Sequence, residues 1–264
     1  MTIGTLSRGV ALKPQLVTST PSTAYWGRYL CKQSVGNVED SSGNARTAIL
    51  DSALVTAGTA WTANVNNLTC LSDASGGDGG ASIPRAQIDI DLRIHSLIWM
   101  CRALIPSSVT AAEQMLGYGG GAVGGVTMQK RVTGHELQLR INRGSSLSTG
   151  VATGLALNDD AFHNVVMAVD GPAQIGFGWV DGILQFSNTS LASAGTSAGI
   201  AATDATQFGF GHEGIGTGTT IPIRFDVIQL FKFNGNLPAY LARGALWLSN
   251  NPFELIPDWM WPAS

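Results

Sequence analysis

The stretch "NDDAFHNVVMAVDG", residues 158 to 171, decides the fold, because it reads either as a reactive cluster or as a buried strand. It holds three acids and one of the four histidines of the chain. A period of two places His163, Val165, Met167 and Val169 on one face and Phe162, Val166 and Ala168 on the other. Both faces are apolar, so the segment reads as a strand inside a sandwich, covered on each side. Asp159 and Asp160 then belong to the entering turn, and Asp170 with Gly171 to the exit.

The same period recurs along the chain. In "QIDIDLRIHSLIWMCRALI", Ile88, Ile90, Leu92 and Ile94 are expected to point inward, with Asp89, Asp91, Arg93 and His95 on the other face. In "HELQLRIN" the inward set is Leu137, Leu139 and Ile141. In "IPIRFDVIQLFKF" it is Ile221, Ile223, Phe225 and Val227, continuing to Phe231 and Phe233, while Ile228 and Leu230 make the second face apolar. Glycine-rich turns such as "ASGGDGGAS", "GYGGGAVGG" and "GFGHEGIGTGTT" separate these runs and supply the positive φ angles of tight reversals. The spacing predicts an all-β, two-sheet antiparallel sandwich. One short helix is expected near the C-terminal end, in "LPAYLARGALWLSN", with Pro238 in its first turn and Leu237, Tyr240, Leu241 and Leu248 on one stripe. Residues 1–24, rich in Thr, Ser and Pro, read as an extended arm, residues 25–255 as the sandwich, and residues 256–264 as an aromatic tail.

Composition narrows the function classes. Of 264 residues, 44% are hydrophobic and only 12% charged, about half the usual share, so the surface is built largely from Ser, Thr, Asn and Gly. A net charge of −3 does not suit a nucleic-acid binder. Arg8, Lys13, Arg28 and Lys32 give residues 1–38 four bases and no acid, but they are too dispersed to form a basic patch. The first 17 residues lack the apolar core of a secretory signal, and no apolar run reaches membrane-spanning length. Synthesis in a cytoplasm without membrane insertion is therefore expected. Cys31, Cys70 and Cys101 have no metal-ligand spacing and are expected to be reduced.

No motif for catalysis or metal binding stands up to its context. Gly119, Gly121 and Gly124, then Gly209, Gly211 and Gly214, match a phosphate-loop spacing, but neither set is followed by a helix pattern. His95, His135, His163 and His212 lack zinc-site spacing. Asp73, Asp78 and Asp204 sit in turns, where Asp serves local hydrogen bonds. Asp89 and Asp91, two apart on one face, are the best candidates for a carboxylate pair of the glycosidase kind. Arg93 and His95 continue that face in the manner of a charge-mixed surface. Trp259 and Trp261, between prolines, read as either folded back or partner-anchoring.

Taken in order, these pieces resemble the laminin G-like, concanavalin A-like jelly roll. "VEDSSGNAR" at residues 38–46 resembles its Asp-x-Ser-Gly-Asn element, and "DLRIHSLIWMCRAL" the strand that follows. "DDAFHNVVMAVDG" resembles its Trp-His-x-Val-Ala strand with Phe162 in the tryptophan position. "GFGWVDGIL" resembles its Tyr-Val-Asp-Gly turn through Val180, Asp181 and Gly182. "IRFDVIQLFKFNGNLPAYLARGALWLSNNPF" resembles the closing strand and short helix, with Asp226 in the usual Asp position. The ending "LSNNPFELI" resembles the close of jelly-roll proteins of tailed bacteriophages. The resemblance implies a jelly roll able to bind glycan or protein, and it lacks the Glu-x-Asp strand of the glucanase branch.

The expectation that follows is a non-enzymatic bacteriophage virion structural protein displaying a lectin-like jelly roll, as capsid decoration, head fibre, or tail or baseplate adhesin. Arg8 and Lys13 in the arm and Trp259 and Trp261 in the tail are the expected docking residues. Other virion proteins, a host-surface glycan and further copies of the chain are the expected partners, with no cofactor, metal, nucleic acid or membrane. Two alternatives remain: a carbohydrate-active hydrolase using Asp89 and Asp91, and a free glycan-binding module.

Overall fold

The computed structural model describes residues 25–31, 36–50, 68–70, 80–110, 113–118, 125–142, 147–151, 154–188, 207–211, 223–237, 241–254 and 256. Arg8, Lys13, Trp259 and Trp261, His212, the turn acids Asp73, Asp78 and Asp204, and Ile221 lie outside them. So does the first glycine set, together with Gly214 and Pro238.

The alternating runs form strands β1 (Tyr25–Tyr29), β2 (Ile49–Leu50), β3 (Leu68–Cys70), β4 (Ala81–Pro84), β5 (His95–Leu104), β6 (Glu113–Tyr118) and β7 (Gly125–Lys130). They continue as β8 (Leu137–Asn142), β9 (Leu147–Val151), β10 (Phe162–Asp170), β11 (Ile175–Val180), β12 (Ile183–Asn188), β13 (Gln207–Phe210) and β14 (Ile223–Asn234). One helix, α1 (Leu241–Asn250), follows. One antiparallel sheet runs β1-β14-β5-β10-β11-β12, with β3 also on β14, and the other runs β2-β4-β13-β6-β7-β8-β9. This is the expected two-sheet antiparallel sandwich, with one short α-helix among the described residues.

Strand β10 lies between β5 and β11, and its two faces feed two separate apolar layers. Val165, Met167 and Val169 enter the core between the sheets, with Leu97, Trp99 and Cys101 from β5 and Met128, Leu139 and Phe208 from the opposite sheet. Val166 and Ala168 face outward, where Ile98, Met100, Trp179, Phe231, Ala245, Leu248 and Ile256 form a second layer under α1. Each fully buried side chain of this size contributes about 1.5–3 kcal/mol, so these layers dominate the driving force for folding. Aromatic edges join the sheets: the Trp99 and Phe208 rings lie 4.8 Å apart, as do Tyr29 and Phe210. Cys31 and Cys101 are buried, and neither is in a disulfide.

Two expectations about periodicity need correction. The segment before β5 keeps its alternation only through Leu92; residues 92–94 then form a turn, leaving Ile94 57% exposed and turning His95 inward. Asp91 builds that turn, because its Oδ1 accepts from Arg93 N and its own N–H donates to His95 Nδ1 at 2.9 Å. In β14 a bulge between Phe225 and Val227 inserts one residue and swaps the faces. Ile223 and Phe225, then Ile228 and Leu230, face the other sheet, whereas Val227 and Phe231 face the layer under α1.

Polar residues at the ends of β10 serve the fold. Asp181 and Gly182 form a two-residue hairpin turn between β11 and β12 with φ of 49° and 79°, the left-handed pair that an Asp-Gly turn supplies. Asp181 Oδ1 accepts from Asn164 N at 2.8 Å, and its Oδ2 lies 2.6 Å from His163 Nδ1. The other ring nitrogen, Nε2, lies 3.0 Å from Asp159 Oδ1. At the exit, buried Asp170 accepts from Ala173 N, Asn236 Nδ2 and Leu237 N, which fixes the chain leaving β14. Gly171 is required by close approach: a Cβ there would stand 2.1 Å from His95 O and 2.3 Å from Leu92 O.

Hydrogen bonding to Asp181, and then to Asp159, outweighs burial and raises the His163 pKa above its ordinary value. A raised pKa means that the protonated ring is favoured in the folded state. Its stabilisation is complete below the ordinary histidine pKa and is lost as pH rises through the folded value. Wild-type protein should lose thermal stability over that interval, whereas His163→Gln should be destabilised by about 1–3 kcal/mol at low pH and lack the slope. Melting temperature against pH for both proteins measures this; parallel curves would contradict it.

Candidate functional site

Asp89 and Asp91 do not form a free carboxylate pair. Asp89 is ion-paired with Lys232, lies 3.7 Å from Arg46 Nη2, and accepts from Trp26 Nε1 at 2.6 Å. Burial alone would raise its pKa, but Lys232 and Trp26 outweigh it and hold the carboxyl below the usual range. Asp91 is bound on both oxygens by the Arg93 guanidinium, whose hydrogen bonds keep its pKa low. A glycosidase acid needs the opposite shift, so neither group is prepared to donate a proton.

The histidines are likewise absorbed. His95 closes the turn before β5, and burial, with Lys232 nearby, lowers its pKa. His135, at φ 55°, lies 3.2 Å from Lys130 Nζ. No cluster of three His, Cys, Asp or Glu suited to a metal occurs among the described residues. The Asp-x-Ser-Gly-Asn element is a loop organiser: Asp40 accepts from Arg28 N, Ser42 N and Arg46 N, and Asn44 Nδ2 donates to Tyr25 O.

The helical side of the first sheet carries a second group of charges. The bulge in β14 turns Asp226 toward Arg102, and the two form an ion pair. Burial raises the Asp226 pKa against the pull of Arg102, and its Oδ1 has no partner among the described residues. The Arg102 guanidinium also lies over the rings of Phe162, at 4.7 Å, and Phe253, at 5.5 Å. Arg28 Nη2 donates to Phe253 O, and buried Gln229 donates to Pro252 O and Glu254 O. The Asn-Pro-Phe close is thus part of the packed body.

Beyond this close, α1 presents an open cleft of about 320 Å³ lined by Arg243, Leu246, Trp247, Asn250 and Asn251. These positions recur as i, i+3, i+4, i+7 and i+8, the outward stripe of a helix whose Ala245, Leu248 and Ser249 are buried. The orientation is fixed from below. Gly182 N donates to Ser249 Oγ at 2.7 Å, and Asn164 Nδ2 donates to Ser249 O at 3.0 Å. A Cβ at Gly182 would stand 2.3 Å from Asn250 Oδ1, so the Asn250 side chain rests directly on the hairpin turn.

Polarity within the cleft follows from the end of the helix. Asn250 Nδ2 donates to Leu246 O and Asn251 Nδ2 to Trp247 O, satisfying carbonyls of the last turn. Both amide groups therefore spend a donor on the helix; the Asn250 oxygen rests against the Gly182 turn, and the Asn251 oxygen keeps its acceptor capacity. Trp247 Nε1 is buried with no acceptor among the described residues. Arg243 makes no ion pair among them. The five described lining side chains supply a guanidinium, an indole, two amides and a leucine, with no acid among them. In "LPAYLARGALWLSN" the stripe of Leu237, Tyr240, Leu241 and Leu248 signals only the buried face; the outward Arg, Trp and Asn spacing was the available signal for the cleft.

No protein-family profile matches the chain, and no curated protein matches it. Among solved structures it is similar to Trypanosoma rangeli sialidase in complex with sialic acid, at 18% identity over 85% of this chain and 33% of that one, with a TM-score of 0.51. It is also similar to the binding domain of botulinum neurotoxin serotype D, at 11% identity over 88% of this chain and 52% of that one, with a TM-score of 0.52. A third similar structure is of botulinum neurotoxin type C, whose cell entry depends on interaction with two ganglioside molecules; identity is 9%, coverage 89% and 52%, and the TM-score 0.52. The chain spans about a third of the sialidase and about half of the toxin chains. At these identities the likeness is one of fold alone, that of an all-β sandwich.

Proposed function

We propose that this chain is a non-enzymatic glycan-binding β sandwich carried on a bacteriophage particle, with the cleft along α1 as its sugar site. The observation that carries the reading is the lining of that cleft by one helical stripe, Arg243, Leu246, Trp247, Asn250 and Asn251, with an indole at its centre. An aromatic face suits the C–H side of a sugar ring, and fixed acceptors and donors around it select hydroxyls. Similar solved structures include one with sialic acid bound and one of a toxin that uses gangliosides, which agrees with a sugar ligand. The absence of catalysis is supported by the cation-paired state of Asp89 and Asp91.

Assignment to a particle rests on the resemblance of "LSNNPFELI" to phage jelly-roll proteins and on the 12% charged composition. In this reading the arm, through Arg8 and Lys13, and the tail, through Trp259 and Trp261, dock several copies on other virion proteins in the host bacterial cytoplasm. Among the described residues no helix is long and apolar enough to cross a membrane.

On an array of bacterial envelope glycans, wild-type protein should bind a subset, and Trp247→Ala should weaken those signals about tenfold or more while retaining the β-sheet circular dichroism. Unchanged binding by the variant would remove the cleft from consideration. For the particle assignment, deletion of residues 1–24 should abolish recovery of the chain with purified particles; undiminished incorporation would end the docking role of the arm.

A further inference from the structure

The geometry points to an acidic sugar, a uronic or ulosonic acid residue within a glycan, as the ligand of the α1 cleft, with its carboxylate held by Arg243. This rests on the glycan-binding reading and adds the class and the direction of the ligand. Arg243 is the only charged residue in "LARGALWLSN", lies in the first described turn of α1, and makes no ion pair among the described residues. It differs in this from Arg46, Arg93, Arg102, Arg131 and Lys232, each of which has a carboxylate partner. No acid lines the cleft among the described residues.

The cleft is also polarised along its length. Arg243 stands at one end and Asn251 at the other, about 12 Å away along the axis at 1.5 Å per residue. The helix dipole adds positive potential at the Arg243 end and negative potential at the asparagine end. A carboxylate is therefore favoured at the first end and hydroxyl donors at the second. Trp247 and Leu246 between them offer an apolar floor for the ring faces. A guanidinium can grip a carboxylate with two parallel N–H donors, which a neutral sugar cannot match.

The test compares 3′-sialyllactose with lactose, and trigalacturonate with its methyl ester, by titration calorimetry on wild type, Arg243→Gln, Arg243→Lys and Trp247→Ala. At least one acidic probe should bind about tenfold or more tightly than its uncharged counterpart. Arg243→Gln should remove that preference, Arg243→Lys should retain part of it, and added salt should narrow it. Equal binding of charged and uncharged forms, a preference that survives Arg243→Gln, or no binding of either acidic probe would overturn the inference. If uncharged glycans bound through Trp247 without an acid preference, the glycan reading would stand and the acidic ligand would fall. If wild type bound glycans and both Trp247→Ala and Arg243→Gln matched it, the two would fall together.

Discussion

The hairpin turn at Asp181 and Gly182 is the constraint on which the arrangement of the outer layer depends. Its carboxylate joins the main chain of Asn164 and the ring of His163, so the turn cannot shift along β10. Its glycine then meets Ser249, which Asn164 grips from the other side. Each of these hydrogen bonds is worth only about 1 kcal/mol net, far less than the apolar layers that drive folding. Their effect is directional: apolar burial tolerates rotation of a helix, whereas two bonds to one residue do not. With Ser249 held inward, Arg243, Trp247, Asn250 and Asn251 are obliged to face outward.

The same logic separates the charges that shape the fold from those left for a ligand. Asp89, Asp91 and Asp226 are each opposed by a cation, and Asp170 and Asp40 collect main-chain N–H groups. In a chain with so few charged residues, these local tasks absorb most of the acids that looked reactive. What remains along α1, among the described residues, is a cation, an indole and two amides.

Much of the fold was legible because it follows from apolar alternation and turn chemistry. Leu137, Leu139 and Ile141 are buried as the period of two requires, and β10 has the two apolar faces that its sequence indicates. The Val-Asp-Gly turn announced its own backbone, since few residues other than Asp and Gly accept positive φ so readily. The misreadings share one cause. At Ile94 and at Asp226 a single turn or bulge displaced the period by one residue, and every side chain beyond it changed face. The site was less legible, because a buried helical stripe carries a strong hydrophobic signal and an outward recognition stripe carries almost none. Trp247 looked like one more apolar residue until Ser249 was seen to set the rotation of the helix.

The most direct measurement of this account is the indole N–H region of a ¹H–¹⁵N spectrum during titration with fragments of bacterial envelope polysaccharide that bind the protein. The Trp247 Nε1–H resonance, assigned by its loss in a Trp247→Phe variant, should move and saturate with the binding curve. Trp99, sealed in the core between the sheets, should stay in place. Saturable binding that shifts other resonances and leaves the Trp247 indole unmoved would contradict the claim that the cleft along α1 is where this protein meets its ligand.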